Sequence, residues 1–261
     1  SAILKTEGAL VQKNIIFEDA HIIVVYKPVG IATQTSRTGQ QDMVSELKNY
    51  LAKKPEWKGK GEPYLGIVHR LDQPVSGLLA FARTKQAAAH LSRQVSDGRM
   101  QKSYYAVVCG RPDKEQGRLE DYLYKDSKNQ TLVVDKIFQG AKRAVLDYKL
   151  VKTLVMLDEN LVPGGYGGIS GENEISLLEI GLVTGRHHQI RAQMSHAGLP
   201  LLGDHKYGSL RSKELSREAG CRSAALCAYC LAFDHPAAKK RMTFEKQPEG
   251  EIFLPFFTRG I

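Results

Sequence analysis

The chain has 261 residues, 42% of them hydrophobic and 25% charged, enough to bury a substantial core in one large domain or two small ones. No apolar run approaches the roughly 20 residues of a membrane-spanning helix, and Ser1-Ala2-Ile3-Leu4-Lys5 lacks the pattern of a secretory leader, so a cytoplasmic protein without membrane segments is expected. Lysine and arginine number 37 against 28 acidic residues, a net charge of +9, which favours a polyanionic partner such as nucleic acid.

Asn14-Ile15-Ile16-Phe17 and Ile22-Ile23-Val24-Val25-Tyr26 are β-branched runs split by Glu18-Asp19-Ala20-His21, the pattern of a hairpin. Lys27-Pro28-Val29-Gly30 ends the second strand. Met43, Leu47 and Leu51 recur at helical spacing. A Lys/Gly-rich stretch, residues 53–61, reads as a loop whose basic side chains either touch nucleic acid or are simply solvated. The Leu-Gly-Ile-Val and Leu-Leu-Ala-Phe runs around Asp72 read as buried strands. Thr84 stands as the N-cap of a helix to Ser96 that buries Ala87, Leu91 and Val95 and stops at Asp97-Gly98.

Residues 103–108 predict another strand, and Gly110-Arg111-Pro112-Asp113 a turn. Residues 119–124, 131–134 and 144–151 predict strands joined by charged turns, with antiparallel pairing as the natural result. Gly164-Gly165-Tyr166-Gly167-Gly168 is read as an insertion loop rather than a linker, because the strand at 175–182 leads directly into a motif expected to complete the Asp72 site. Ile190, Met194 and Ala197 fit a short helix over 187–196, closed by Gly198-Leu199-Pro200. Strands at 225–233 and 241–244 finish the chain. Strands outnumber helices without regular alternation, which predicts an α+β fold, with a mixed, mainly antiparallel central sheet flanked by helices and loops. A single domain over residues 1–261 is expected.

Cys109, Cys221, Cys227 and Cys230 are too few and too unevenly spaced for a disulfide framework. Cys227-Ala228-Tyr229-Cys230 forms a C-x-x-C with Cys221 or His235 as imaginable further zinc ligands. The segment is apolar and strand-like and no second ligand pair has the usual spacing, so buried cysteines and no metal are expected. No nucleotide fingerprint is present either, and no cofactor is expected.

The most informative stretch is Val68-His69-Arg70-Leu71-Asp72-Gln73-Pro74-Val75-Ser76-Gly77-Leu78-Leu79. It sets Asp72 where a strand gives way to a rigid loop, either as a reactive carboxylate or as an Asp that hydrogen-bonds its own turn. These residues resemble the H-R-L-D-x-x-[TS]-S-G-L-L signature of the RluA-type RNA pseudouridine synthases. Further matching blocks follow in the family's order. They are Tyr26-Lys27-Pro28-Val29-Gly30, Lys102-Ser103-Tyr104-Tyr105-Ala106-Val107-Val108, a Leu182-to-Arg191 block ending His187-His188-Gln189-Ile190-Arg191, Leu202-Gly203-Asp204-His205-Lys206-Tyr207-Gly208, and the block around Leu226-Cys227-Ala228.

The resemblance implies isomerisation of uridine to pseudouridine in structured rRNA or tRNA, with Asp72 as nucleophile or charge stabiliser, no cofactor, and a monomeric enzyme. An ionised carboxylate in a dry pocket needs a cation, since a pair about 4 Å apart attracts by roughly 4 kcal/mol at an effective dielectric near 20. By resemblance that cation is Arg191, and Tyr104 packs on the uracil and can act as general base while Tyr105 faces the other way. His69, Arg70 and Arg186 are the expected RNA-binding residues. Arg70 either fills the stack left by a turned-out base or contacts phosphate, and Arg186 would hold phosphate near a helix N-terminus. Residues 202–208 are expected to be a structural wall of the pocket. Val75 departs from the family's usual Thr and Cys227 from its usual His. Some relatives carry a small basic RNA-binding domain in front, for which the stretch before the first strand is too short. Two competing readings are a hydrolase using Asp72 with His69 or His187, and an RNA-binding module without catalysis.

Overall fold

A computed structural model of the chain describes residues 9–35, 39–157, 160–163 and 173–258. Helix α1 (Ala9–Gln12) precedes the hairpin of β1 (Ile15–Glu18) and β2 (Ile22–Lys27), whose turn Asp19 closes by accepting from the backbone N–H groups of His21 and Ile22. The Asp42 carboxylate takes the Ser45 N–H and starts α2 (Met43–Ala52). β3 (Gly66–Ile67) and β4 (Ser76–Ala82) flank the Asp72 loop, and the Thr84 hydroxyl accepts from the Ala87 N–H to begin α3 (Lys85–Ser96). Next come β5 (Gln101–Cys109), β6 (Gln116–Lys125), β7 (Thr131–Val134), β8 (Lys142–Leu157), β9 (Asn160–Pro163) and β10 (Glu174–Leu182). Helices α4 (Gln189–His196) and α5 (Leu210–Glu218), strands β11 (Leu226–Asp234) and β12 (Arg241–Glu245), and α6 (Leu254–Phe257) complete the order. Among the described residues no helix is long and apolar enough to cross a membrane.

The chain divides into two compact units, one of residues up to Gln101 with Ala228–Lys246, the other of Lys102–Cys227 with the residues from Gln247 on. In the first, β1, β2, β4 and β11 lie side by side, with β3 on β4 and β12 on β11. The β1–β2, β2–β4, β3–β4 and β11–β12 pairings are antiparallel. β2 and β4 are buried along their whole length, which is why they read as unbroken apolar runs rather than alternating ones. One face packs Val24, Leu78 and Ala80 against Ala87 and Leu91 of α3 and Phe233 of β11. Gln94, fully buried in α3, donates to Asp234 O and accepts from Asp234 N–H, each at 2.7 Å, and its Nε2 also bonds His90 Nδ1 at 3.0 Å.

In the second unit the order is β5-β10-β8-β6-β7, with β9 on β8, all antiparallel. β8 runs 16 residues, well beyond the expected end at 151, because β10 pairs with it as far as Val155 and β9 pairs with its last four residues. Helix α4 packs on β6 and β7, where Ala192 meets Leu123, Ala144, Val133 and Tyr207. Its C-terminus is the expected glycine stop: Gly198 takes φ +79°, its N–H returns to Ser195 O, and the Leu199 N–H returns to Met194 O. Ala197, expected on the buried face, is the exposed C-cap, and burial instead covers every residue from Gln189 to Met194. Helix α5 was not foreseen, and the expected Gly164-to-Gly168 insertion loop lies outside the described residues. Both units fit a mixed, mainly antiparallel α+β fold.

Candidate active site

Residues 68–75 leave β3 and re-enter at β4, and their backbone is tied at three places within the first unit. The Thr33 hydroxyl donates to Leu71 O at 2.9 Å and accepts from Leu71 N–H at 3.1 Å. Gly30 and Gln73 exchange two bonds of 2.9 Å, Gly30 N–H to Gln73 O and Gln73 Nε2 to Gly30 O. Val75 N–H closes the turn on Asp72 O at 3.0 Å. Exposure alternates accordingly: Arg70 is exposed, Leu71 buried, Asp72 half-buried. At Gly77, with φ +126°, a Cβ would stand 2.4 Å from the backbone N and O of Ala228, so the chain re-enters β4 through a place only glycine fits.

His69 is buried, and its Nε2 accepts the Ala80 N–H at 3.0 Å, which makes the ring neutral with its proton on Nδ1. The side chain is part of the loop's foundation on β4. A hydrolase reading that uses His69 as the proton carrier needs the nitrogen that Ala80 already occupies. Arg70 keeps an exposed guanidinium, with Nη2 donating to Gln34 Oε1 at 3.1 Å.

Beneath this loop lies Lys27, at the end of β2, with 0% of its surface exposed. Its Nζ donates to Ile31 O at 2.6 Å, Pro28 O at 3.0 Å and Gln73 O at 3.2 Å, three carbonyls for the three N–H bonds of an ammonium. Burial pushes its pKa down to about 7, and the negative charge of Asp72 works in the opposite direction. Lys27 is thus an electrostatic neighbour of Asp72. Sequence reasoning sought the cation only at Arg191, because a lysine ending a strand ordinarily reads as solvated. The signal was the placement of Lys27 directly after five apolar or aromatic residues and before Pro28.

In the second unit Arg191 projects from α4 and is 5% exposed. Its Nε and Nη2 grip Asp204 Oδ2 and Oδ1 at 2.7 and 2.8 Å, a bidentate pair that fixes the guanidinium plane. Burial would raise the Asp204 pKa, but the Arg191 hydrogen bond and charge, with the N–H groups of Tyr207 and Lys206, hold it below the usual carboxylate value. The guanidinium carbon lies 5.1 Å from the Tyr207 ring centre. The Tyr207 hydroxyl accepts the Thr131 N–H at 2.9 Å and bonds His188 Nδ1 at 2.7 Å. His188 opens α4 with a left-handed φ of +48° and stacks on His187. Burial first, then the charges of Arg191 and His187, push His188 down to about 3, so it is neutral. Residues 202–208 therefore do more than wall a pocket, since Asp204 and Tyr207 set the direction of Arg191. Nothing local in Leu202-Gly203-Asp204 distinguishes that carboxylate from a turn Asp.

Tyr104 is buried on β5 opposite Ile180 of β10, and Tyr105 takes the other strand face, its ring edge against Phe257 at 5.1 Å. Arg186 is exposed, with Nε on Arg143 O at 3.0 Å, and its N–H is taken by Gln189 Oε1. Of the six residues singled out in the sequence, His69, Arg70 and Asp72 belong to the first unit, and Tyr104, Arg186 and Arg191 to the second.

The RNA pseudouridylate synthase family model matches residues 21–196. The ribosomal large subunit pseudouridine synthase D of Zymomonas mobilis is 34% identical over 249 residues, spanning 93% of this chain and 71% of that protein. The uncharacterized RNA pseudouridine synthase YhcT of Bacillus subtilis is 30% identical, over 84% of this chain and 64% of its own length. The solved structure of human RNA pseudouridylate synthase domain containing 4 shares the fold, with a TM-score of 0.71 at 19% identity over 97% of this chain and 96% of that one. The chain belongs to the RNA pseudouridine synthase family, whose members isomerise uridine in RNA to pseudouridine.

Proposed function

We propose that this chain isomerises uridines of ribosomal RNA to pseudouridine and that Asp72 carries the reaction. The carrying observation is the Asp72 loop itself, pinned at Leu71, Gln73 and Val75 over a buried lysine, so that a half-buried carboxylate is held still in one place. Ribosomal RNA is chosen because the Zymomonas relative is named for the large ribosomal subunit.

The reaction breaks the bond from ribose C1′ to uracil N1 and forms one from C1′ to C5, with a proton lost at C5 and gained at N1. It is redox neutral, and its balance calls for no cofactor. Asp72 serves either by attacking or by stabilising charge that develops as the glycosidic bond breaks, and both roles need a negative carboxylate. Arg191, oriented by Asp204, is the proposed cation, and Tyr104 the proposed ring against the uracil and acceptor of the C5 proton. A uracil within a helix must first be turned out, at a cost of a few kcal/mol. The exposed Arg70 guanidinium is proposed to fill the vacated stack, Arg186 to contact phosphate, and His69 to hold the loop in place. The two units are proposed to act as one catalytic domain, monomeric and cytoplasmic.

The test is to incubate ribosomal and transfer RNA transcripts, tritiated at uracil C5, with the protein, then to count released label and digest to nucleosides. Release with pseudouridine from ribosomal RNA is expected. Free uracil would replace the reading by hydrolysis, tight binding without release by an inert binding module, and release from transfer RNA alone would overturn the choice of substrate.

A further inference from the structure

Between α2 and β3, residues 53–64 carry two aromatic rings at the surface, Trp57 and Tyr64, 36% and 40% exposed. Lysines are interleaved with them. The acidic residues of the loop are answered locally: Glu62 pairs with Lys48 at 2.7 Å, and Glu56 with Lys54 at 3.7 Å. Lys54 also pairs with Glu18 at 2.7 Å. Lys53, Lys58 and Lys60 are exposed and, among the described residues, enter no ion pair.

The indole is held rather than loose. A Cβ on Gly59 would lie 2.5 Å from Trp57 Cζ2 and 2.6 Å from Cη2, so the ring rests on the Gly59 main chain, and the Trp57 backbone N–H, bonded to Lys54 O at 3.0 Å, fixes the turn that carries it. Beside it opens a groove of about 200 Å³ lined by Leu51, Glu56, Trp57, Pro63, Tyr64 and Arg83. That is room for one flat group and not for a folded partner. A fixed, part-exposed aromatic ring between unpaired ammonium groups is the combination that single-stranded nucleic acid uses, bases stacking while cations follow the backbone.

We propose that this loop binds a single-stranded segment of RNA, with Trp57 stacking on one unpaired base and Lys58 and Lys60 contacting phosphates. The proposal rests on the reading that the substrate is RNA and adds a contact surface borne by a loop that carries none of the residues proposed for catalysis. It makes the chain prefer targets flanked by unpaired nucleotides.

Trp57 is the chain's only tryptophan, so its fluorescence reports this loop alone. The full-length protein is titrated with a single-stranded oligouridylate, and separately with heparin, a polyanion without bases. Quenching by the oligouridylate and not by heparin is expected. Trp57→Ala should weaken oligouridylate binding roughly tenfold in a filter assay, Trp57→Phe should retain most of it, and Lys58→Ala with Lys60→Ala should lower the salt slope by about 1.4. Fluorescence unchanged on binding, or quenched equally by heparin, would overturn the proposal. So would full RNA affinity in Trp57→Ala, which would leave a protein as the occupant. The two readings separate cleanly: pseudouridine formed with Trp57 silent sinks only the stacking surface, and Trp57 quenched with no pseudouridine formed sinks only the enzymatic reading.

Discussion

Lys27 offers a sharp test of how the Asp72 loop is held, through the variant Lys27→Met, which keeps the length of the side chain and removes its charge. Lowering a lysine pKa from 10.5 to about 7 makes the charged form costly in the fold by roughly 5 kcal/mol. Between those two values the unfolded chain binds more protons at this position than the folded one, so wild-type stability rises with pH, by up to about 1.4 kcal/mol per pH unit. The variant lacks this dependence. Its own loss, from leaving without a donor the carbonyls among Pro28 O, Ile31 O and Gln73 O that the two N–H bonds of the neutral amine serve, is of order 1–3 kcal/mol for each and does not vary with pH once the folded lysine is neutral. Urea unfolding of both proteins at pH 7.5, 8.5 and 9.5, pH values chosen to lie within that window, should therefore show the wild type gaining about 2–3 kcal/mol on the variant. Other titrating groups cancel in the difference. A gap that stays constant across this range would refute the reasoning, because it would mean that folded Lys27 stays as fully protonated as in the unfolded chain.

Two further outcomes follow from the geometry. Gly77→Ala places a Cβ 2.4 Å from main-chain atoms of Ala228 at φ +126°, and should cost more than about 3 kcal/mol in thermal unfolding, whereas Gly30→Ala, at φ +88° with open space around it, should cost only about 1 kcal/mol. Asp204→Asn breaks the buried pair with Arg191 and should destabilise by about 3–5 kcal/mol. Because the Asp204 pKa lies below its unfolded value, that contribution is present above pH 4 and fades as pH falls through the folded pKa, so circular dichroism should show wild type and variant converging in acid.

Periodicity and capping made much of the fold legible. β2 and β4 declare themselves as apolar runs because both faces are covered, and α3 because Thr84 caps it and Ala87 and Leu91 face one way. Helix α5 escaped notice because its only apolar residues are Leu210, 84% exposed, and Leu215. Its buried residues are Ser212, Leu215 and Ser216, with the Ser216 hydroxyl accepting the Gly203 N–H at 2.8 Å, and one buried leucine between serines makes no hydrophobic pattern. The flank before Asp72 read as a full strand, yet only Gly66–Ile67 pairs, since the following residues turn away to build the loop. The site divides in the same way. Asp72 and Arg191 stood out through motifs, while Lys27 and Asp204, which orient the chain around them, are charged residues whose burial depends on partners 46 and 13 positions away. Sequence spacing carries no trace of such pairings.

The most direct measurement is single-turnover conversion by Asp72→Asn, an isosteric change that removes only the charge, with RNA affinity determined on the same preparation. Tritium release and pseudouridine formation should vanish while the RNA is bound as tightly as by the wild type. An Asp72→Asn protein that still converts uridine at a rate near the wild type would contradict the assignment of the reaction to this carboxylate.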